Sequence, residues 1–314
     1  MNTNKKNVIH IPVPTSAVRS NGSKDSRSQN HQRQCIGFLG GGNMTTAILQ
    51  GLLHRDDINY VIVEPDVEAQ KRLFSLMKNQ VIRVIEKPNE ALGDCSLIVL
   101  ATKPQHLKKA FLDALAWLKT PLVISIAAGI TTNAIAKWWS TFHDTQLEVV
   151  RTMPNTPALV GQGMTALYAT ETVSEKSRVA ATKLMGVVGK TVWLSQEHLI
   201  DGMTAISGSG PAYFFWLMDE MVKSAVSFGF TADQARAIVV QNALGAAYLS
   251  AKSTDTLQTL KEKVTSKGGT TAAALGVLAD QHVEDIFSQA LLAAKNRAKE
   301  LADLADKADL SEQG

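Results

Sequence analysis

Ser266, Gly268, Gly269, Thr270 and Thr271 stand together just ahead of an apolar run, Ala272–Leu278. Two adjacent glycines let a backbone come close to a ligand, since no Cβ stands in the way. The threonines fall where a helix begins, so their hydroxyls and several unpaired N–H groups share one direction. Such a helix start is a ready site for a small anion, and a neighbouring hydroxyl can reach a second polar atom of the same molecule.

A second glycine cluster lies far upstream. Gly40-Gly41-Gly42-Asn43-Met44-Thr45 follows the short apolar run Cys35–Leu39 and opens a segment in which Met44, Ala47, Ile48, Gly51 and Leu52 recur at helical spacing. A glycine-rich turn between a strand and a helix is the fingerprint of a dinucleotide site. Gly40 permits the turn, and Gly42 lets a pyrophosphate approach the helix start. Thr45 occupies the third position, where Gly or Ala is usual. Glu64 ends the next strand 22 residues beyond Gly42, where an acid is expected to hold a ribose 2′-hydroxyl. Its charge disfavours a 2′-phosphate and leans toward NADH, although Lys71 and Arg72 stand close enough in sequence to offset it.

Three further pieces fall at strand ends, where open parallel sheets bind ligands. Ala101-Thr102-Lys103-Pro104-Gln105 follows the strand Leu97–Ala101. Ala127-Ala128-Gly129 follows Leu122–Ile126 and is small enough to admit a flat ring. Met153-Pro154-Asn155-Thr156-Pro157 follows Glu148–Arg151 and holds a side-chain amide between two prolines. No metal is expected: the seven histidines lack ligand spacing and the two cysteines are far apart in sequence. No catalytic histidine stands out either. A hydride acceptor that is already a C=N bond needs less acid–base help than a hydroxy acid would.

These residues require an alternation of strands and helices over 35–196: a Rossmann-type α/β fold, its parallel sheet covered on both faces. Strands are expected at Cys35–Leu39, Tyr60–Val63, Leu97–Ala101, Leu122–Ile126, Glu148–Arg151, Thr165–Tyr168 and Thr191–Leu194. After about Gln196 the strand signals stop. The stripe Phe215, Met218, Val222, Ala225, the capping box Thr231–Gln234 and the stripe Val283, Ile286, Phe287, Ala290, Leu291, Ala294 predict an all-helical domain over 197–306. Its apolar faces are wide enough to meet another subunit. Residues 1–34 read as a disordered basic tail and 307–314 as a C-terminal tail.

Charge and cysteine content exclude several classes. The first 34 residues carry +5 of an overall +3, which leaves residues 35–314 at −2 and without the footprint of a nucleic-acid binder. No apolar run reaches membrane-span length. Two cysteines, Cys35 and Cys95, cannot form a disulfide framework; they fit a reducing cytoplasm and the role of small buried hydrophobes.

The chain resembles pyrroline-5-carboxylate reductases over about residues 35–305. The resemblance rests on Ile36–Met44, Ala101–Gln105, Ser125–Gly129, Arg151–Val160, Ser207-Gly208-Ser209-Gly210-Pro211-Ala212-Tyr213 and Val264–Leu275. It implies NAD(P)H-dependent reduction of 1-pyrroline-5-carboxylate to L-proline by a homodimer or larger assembly. It also implies an all-helical dimerisation domain and an active site formed at the dimer interface. By matching motifs, Leu39, Gly40, Gly41, Gly42, Asn43, Met44, Glu64, Pro65, Asp66, Asn89, Ala101, Thr102, Lys103, Pro104, Ala127, Ala128 and Gly129 would line the cofactor. Ser266, Gly268, Gly269, Thr270 and Thr271 would hold the substrate, with Thr271 bonding the ring nitrogen. The chain departs from the family at Lys267, where Pro is usual, at Glu64, at Thr102, where Val is usual, and in its basic tail. The alternatives are a related imine or 3-hydroxy-acid oxidoreductase, or a non-catalytic dinucleotide-binding protein.

Overall fold

Eight short strands pair into one sheet, ordered β3-β2-β1-β4-β5-β6-β7-β8. The computed structural model describes residues 33–76, 82–119 and 122–311. The strands are β1 (Gln34–Leu39), β2 (Ile58–Val63), β3 (Ile82–Ile85), β4 (Leu97–Leu100), β5 (Leu122–Ser125), β6 (Glu148–Met153), β7 (Gly163–Ala169) and β8 (Gly189–Trp193). Between them lie α1 (Asn43–Leu52), α2 (Val67–Leu76), α3 (Pro104–Ala114), α4 (Thr132–Ser140) and α5 (Glu175–Gly186). The tail expected over 1–34 lies, up to Gln32, outside the described residues.

Successive strand side chains point to opposite faces, and β1 shows the consequence. Ile36 and Phe38 enter one core with Ile48, Leu52, Leu73 and Leu184, on the side of α1, α2 and α5. Cys35 and Leu39 enter the other with Leu107, Phe111, Ile135 and Trp138, on the side of α3 and α4. β1 is parallel to both β2 and β4. The chain therefore reverses direction across the sheet at β1 and β4, and a crevice opens at their carboxyl ends.

Two differences from the expected sheet have plain causes. β3 is absent from the sequence reading because Ile82-Arg83-Val84-Ile85 is a four-residue edge strand, only half-buried, without a continuous apolar run. The sheet is also not wholly parallel: β7 runs antiparallel to β6. The 3₁₀ turn Thr156–Val160 joins them, and a turn that short can only reverse the chain.

Beyond β8 the chain is helical: α6 (Leu199–Met203), α7 (Gly210–Ser227), α8 (Ala232–Lys252), α9 (Leu257–Lys263), α10 (Thr270–Asp280) and α11 (Val283–Ser311). The last helix carries past residue 306, where a tail was expected to begin shortly after. A π-helical turn over Thr204–Gly208 leads into α7, and α11 packs on that turn and on α6. Both apolar cores lie in the sheet half. In α8 only Ala235 and Val239 are buried, and in α9 and α10 no residue is. Phe214, Trp216 and Phe228 are 67%, 64% and 79% exposed. A helix set with this composition covers its faces only against something beyond itself.

The start of α8 is fixed locally. Thr231 Oγ1 accepts from Gln234 N–H at 3.3 Å while Gln234 Oε1 accepts from Thr231 N–H at 3.0 Å, the reciprocal capping box. Thr231→Ala should lower stability by about 1 kcal/mol, read as a lower urea midpoint at fixed protein concentration. An unchanged midpoint would show that this cap contributes nothing.

Candidate active site

The glycine turn sits where the sheet opens. Gly40 has φ +106°, and a Cβ there would lie 2.7 Å from the carbonyl of Ala101, so only glycine lets β1 turn against the end of β4. Thr45, fully buried, donates its hydroxyl to Gly40 O at 2.7 Å and pins the turn from below. Gly42 is the N-cap of α1 and provides no side chain to satisfy the first-turn amides. No atom lies within 4 Å of where its Cβ would be, so the helix start is open to a ligand. Leu39 is buried beneath the turn, while Asn43 is exposed and Met44 half-buried above it.

Glu64 folds over the same turn. Its Oε2 accepts from Gly41 N–H at 2.7 Å, and its Oε1 from Asp66 N–H at 2.9 Å. Pro65 carries the chain between them, and Asp66 Oδ1 accepts from Ala69 N–H at 2.7 Å, tying down the first turn of α2. Asn89 caps the 3₁₀ turn Glu90–Asp94 by accepting from Ala91 N–H at 3.1 Å.

At the end of β4, Ala101 and Thr102 are half-buried, and the Thr102 hydroxyl is buried with no protein partner. A buried hydroxyl without a partner is costly, so this one fits a position that a ligand completes. Lys103 is the N-cap of α3 and Pro104 its first residue, again with no side-chain cap. After β5, Ala127 is buried, Ala128 exposed, and Gly129 turns with φ +77°. The Leu301–Ala302 backbone of α11 lies 3.5 Å from where a Gly129 Cβ would be.

Next to this rim is a cleft of about 850 Å³, lined by Pro104, Gln105, Gly129, Arg151, Asp201 and Leu301 among others. Arg151 is only 4% exposed and donates from Nη1 to Glu197 Oε1 at 2.9 Å. The Glu197 carboxylate also accepts from Thr132 N–H at 2.9 Å and Thr132 Oγ1–H at 3.0 Å. A buried cation needs this degree of pairing. Burial holds the Asp201 carboxyl above the usual range, partly offset by Arg151. Glu197, Thr132 and Asp201 belong to no recurring spacing, so nothing in the sequence marks them as site residues. Asn155, held between two prolines, joins the two halves. Its Nδ2 donates to Ser207 Oγ at 3.0 Å and Ser207 O at 3.2 Å, while its Oδ1 accepts from Met164 N–H at 2.9 Å.

The late glycine pair lies elsewhere. Gly268 turns with φ +73°, and Gly269 is the N-cap of α10. Gly269 N–H donates to Ser266 O at 3.0 Å. A Cβ on Gly269 would fall 2.5 Å from Ser266 Oγ, so glycine there leaves the hydroxyl room beside the helix start. Thr270 and Thr271 form the first turn of α10, and Thr271 is half-buried. None of Ser266–Thr271 lines the cleft at the sheet rim. Within one chain the cofactor-type residues come together, and so do the anion-type residues, but as two separate groups.

A family profile described as "Pyrroline-5-carboxylate reductase dimerisation" matches residues 197–301, and one described as "NADP oxidoreductase coenzyme F420-dependent" matches residues 35–129. The chain is 39% identical to the pyrroline-5-carboxylate reductase of Haemophilus influenzae, with 87% of this chain and 99% of that protein aligned. Among solved structures, a pyrroline-5-carboxylate reductase from Coxiella burnetii superposes with a TM-score of 0.76 at 34% identity, covering 85% of this chain and 98% of that one. The Plasmodium falciparum pyrroline carboxylate reductase with NADP bound gives 0.72 at 25% identity, covering 86% and 99%. With 98–99% of these relatives aligned to 85–87% of this chain, and with both groups of candidate residues inside the two profile matches, this chain belongs to the pyrroline-5-carboxylate reductase family.

Proposed function

We propose that this chain reduces 1-pyrroline-5-carboxylate to L-proline with NAD(P)H, the last step of proline synthesis. The observation that carries the reading is the amide-rich start of α10, with Ser266 Oγ beside Gly269, in a chain whose relatives are reductases of this acid. Residues 35–196 act as the dinucleotide domain and 197–306 as the dimerisation and substrate domain. Two copies assemble through the exposed faces of α7, α8, α10 and α11, and larger assemblies of such dimers are compatible with this arrangement. The two free, buried cysteines fit work in a reducing cytoplasm, and among the described residues no helix is long and apolar enough to cross a membrane.

In this reading the glycine turn, Glu64 to Asp66, Asn89, Ala101 to Pro104 and Ala127 to Gly129 hold the dinucleotide. The uncapped start of α1 and the partnerless Thr102 hydroxyl fit that group. When bound, it supplies the hydride for the imine carbon. The partner's copy of the α10 start completes the site. Its amides and Ser266 neutralise the substrate carboxylate, and Thr271 donates a hydrogen bond to the ring nitrogen, fixing which carbon faces the cofactor. The chain contributes orientation and charge neutralisation, which are sufficient for a bond already polarised for attack. Lys267, in place of the usual proline, adds a cation beside the carboxylate.

Purified chain should oxidise NAD(P)H only when pyrroline-5-carboxylate is present; cofactor binding without imine-dependent oxidation would overturn the reading. Thr271→Ala should lower turnover at least several-fold, on the order of the cost of one hydrogen bond to a reacting group, while cofactor affinity stays nearly unchanged. Unaltered turnover would remove Thr271 from the mechanism.

Glu64 places a fixed charge where a 2′-phosphate would arrive, so we assign the chain a preference for NADH. Glu64→Gln keeps an acceptor for Gly41 N–H and removes the charge. A contact-range repulsion is worth about 1 kcal/mol even with water-like screening, so the NADPH-to-NADH ratio of kcat/KM should rise at least about fivefold. An unchanged ratio would show that the carboxylate does not read the ribose.

A further inference from the structure

The only two cysteines in the chain meet in the core. Cys35 is the second residue of β1 and Cys95 stands two residues before β4, and their sulfurs lie 3.0 Å apart. That is about 1 Å beyond a disulfide bond length. Both face the same apolar cluster, on the side of α3 and α4. Space for the pair comes from Gly37: a Cβ there would stand 3.2 Å from Cys95 Sγ. Cys35 and Cys95 are only 8% and 4% exposed, so a bulky oxidant is kept out.

We propose that Cys35 and Cys95 are a peroxide-reactive thiol pair that closes reversibly into a disulfide. The two thiols are inequivalent. The hydrogen bond with Cys95 lowers the Cys35 pKa, and the same contact followed by burial raises that of Cys95. Cys35 is also the more exposed of the two, and in the proposed reaction it is the attacking thiolate and Cys95 the resolving thiol. The Cys35 thiolate takes one oxygen of hydrogen peroxide, the O–O bond breaks, and the departing hydroxide takes up a proton to leave as water. Cys95 then attacks the sulfenic sulfur; the S–S bond forms, the S–O bond breaks, and a second water leaves. Two thiols lose two hydrogens and one peroxide becomes two waters.

The bond would close a loop containing β1, α1, β2, α2, β3 and the turn capped by Asn89, which is the first half of the dinucleotide fold. It joins the amino ends of β1 and β4, opposite the glycine turn that follows Leu39. Oxidation should therefore stiffen this half without entering the site, a protective lock rather than an off-switch.

The test uses the full chain. Reduced protein is treated with hydrogen peroxide, denatured, alkylated, and mapped by peptide mass. One intrachain Cys35–Cys95 peptide pair, lighter by two hydrogens and released by dithiothreitol, is expected. With it should come a Tm rise of about 5 °C, from the long loop closed in a chain of this size, and turnover within about twofold of the reduced form. In Cys95→Ser, Cys35 should proceed to sulfinic acid with no Tm gain. The proposal is overturned if both thiols remain alkylatable in peroxide-treated wild-type protein. It is equally overturned if Cys35 over-oxidises there without a linked peptide, or if the link joins two chains.

Discussion

The helical half cannot cover its own apolar side chains, and the arrangement of the functional groups follows from that deficit. Phe214, Phe215, Trp216 and Leu217 stand in succession on α7, all at least half exposed, and α9 and α10 bury nothing. Such surfaces in water favour association strongly. On the proposed assembly, a second copy covers these faces and in the same act delivers the start of α10 to a sheet rim. Binding energy and catalytic geometry then share one interface. The anion-holding group and the hydride-donating group need no flexible linker within one chain.

The sheet half needs no such help. Gly40 turns against Ala101 because no side chain intervenes, Thr45 ties the turn from beneath, and Glu64 closes over Gly41 from the side. On the proposed function these contacts pre-form the dinucleotide cradle before any ligand arrives, which reduces the ordering cost of binding. Among the links that join the halves of a single chain are Arg151 to Glu197 and Asn155 to Ser207. Both start from β6 or the loop after it and end just before α6 or α7. Met153 adds a third approach, its Cε lying 2.9 Å from where a Cβ on Gly208 would be. The π-helical turn at Thr204–Gly208 is thereby held against the sheet, and it fixes the direction in which α7 leaves.

Much of this was legible in the sequence, for identifiable reasons. Central strands such as Leu97–Leu100 and Leu122–Ser125 are buried on both faces, so they read as unbroken apolar runs. The glycine turn and the α8 capping box are local motifs whose chemistry depends on neighbours in sequence. β3 was not legible, because an edge strand covered on one side carries Arg83 amid its apolar residues. The reversal at β7 was not legible either, since strand direction depends on connection geometry and not on composition. Thr45, standing where Gly or Ala is usual, supplies a hydrogen bond through its own side chain. Glu197 and the Cys35–Cys95 contact arise only from folding, which brings together residues 46 and 60 positions apart.

The central claim is that one active site is built from two chains, and a mixing experiment tests it directly. Gly42→Asp puts a negative charge into the open space at the start of α1 and blocks the dinucleotide. Thr271→Ala disables the other group. In mixed dimers with two-fold symmetry, one site carries both changes and the other carries neither, so co-refolded protein should regain about a quarter of wild-type turnover. A rate that stays at the mean of the two parent variants, in a sample shown to contain mixed dimers, would contradict the account.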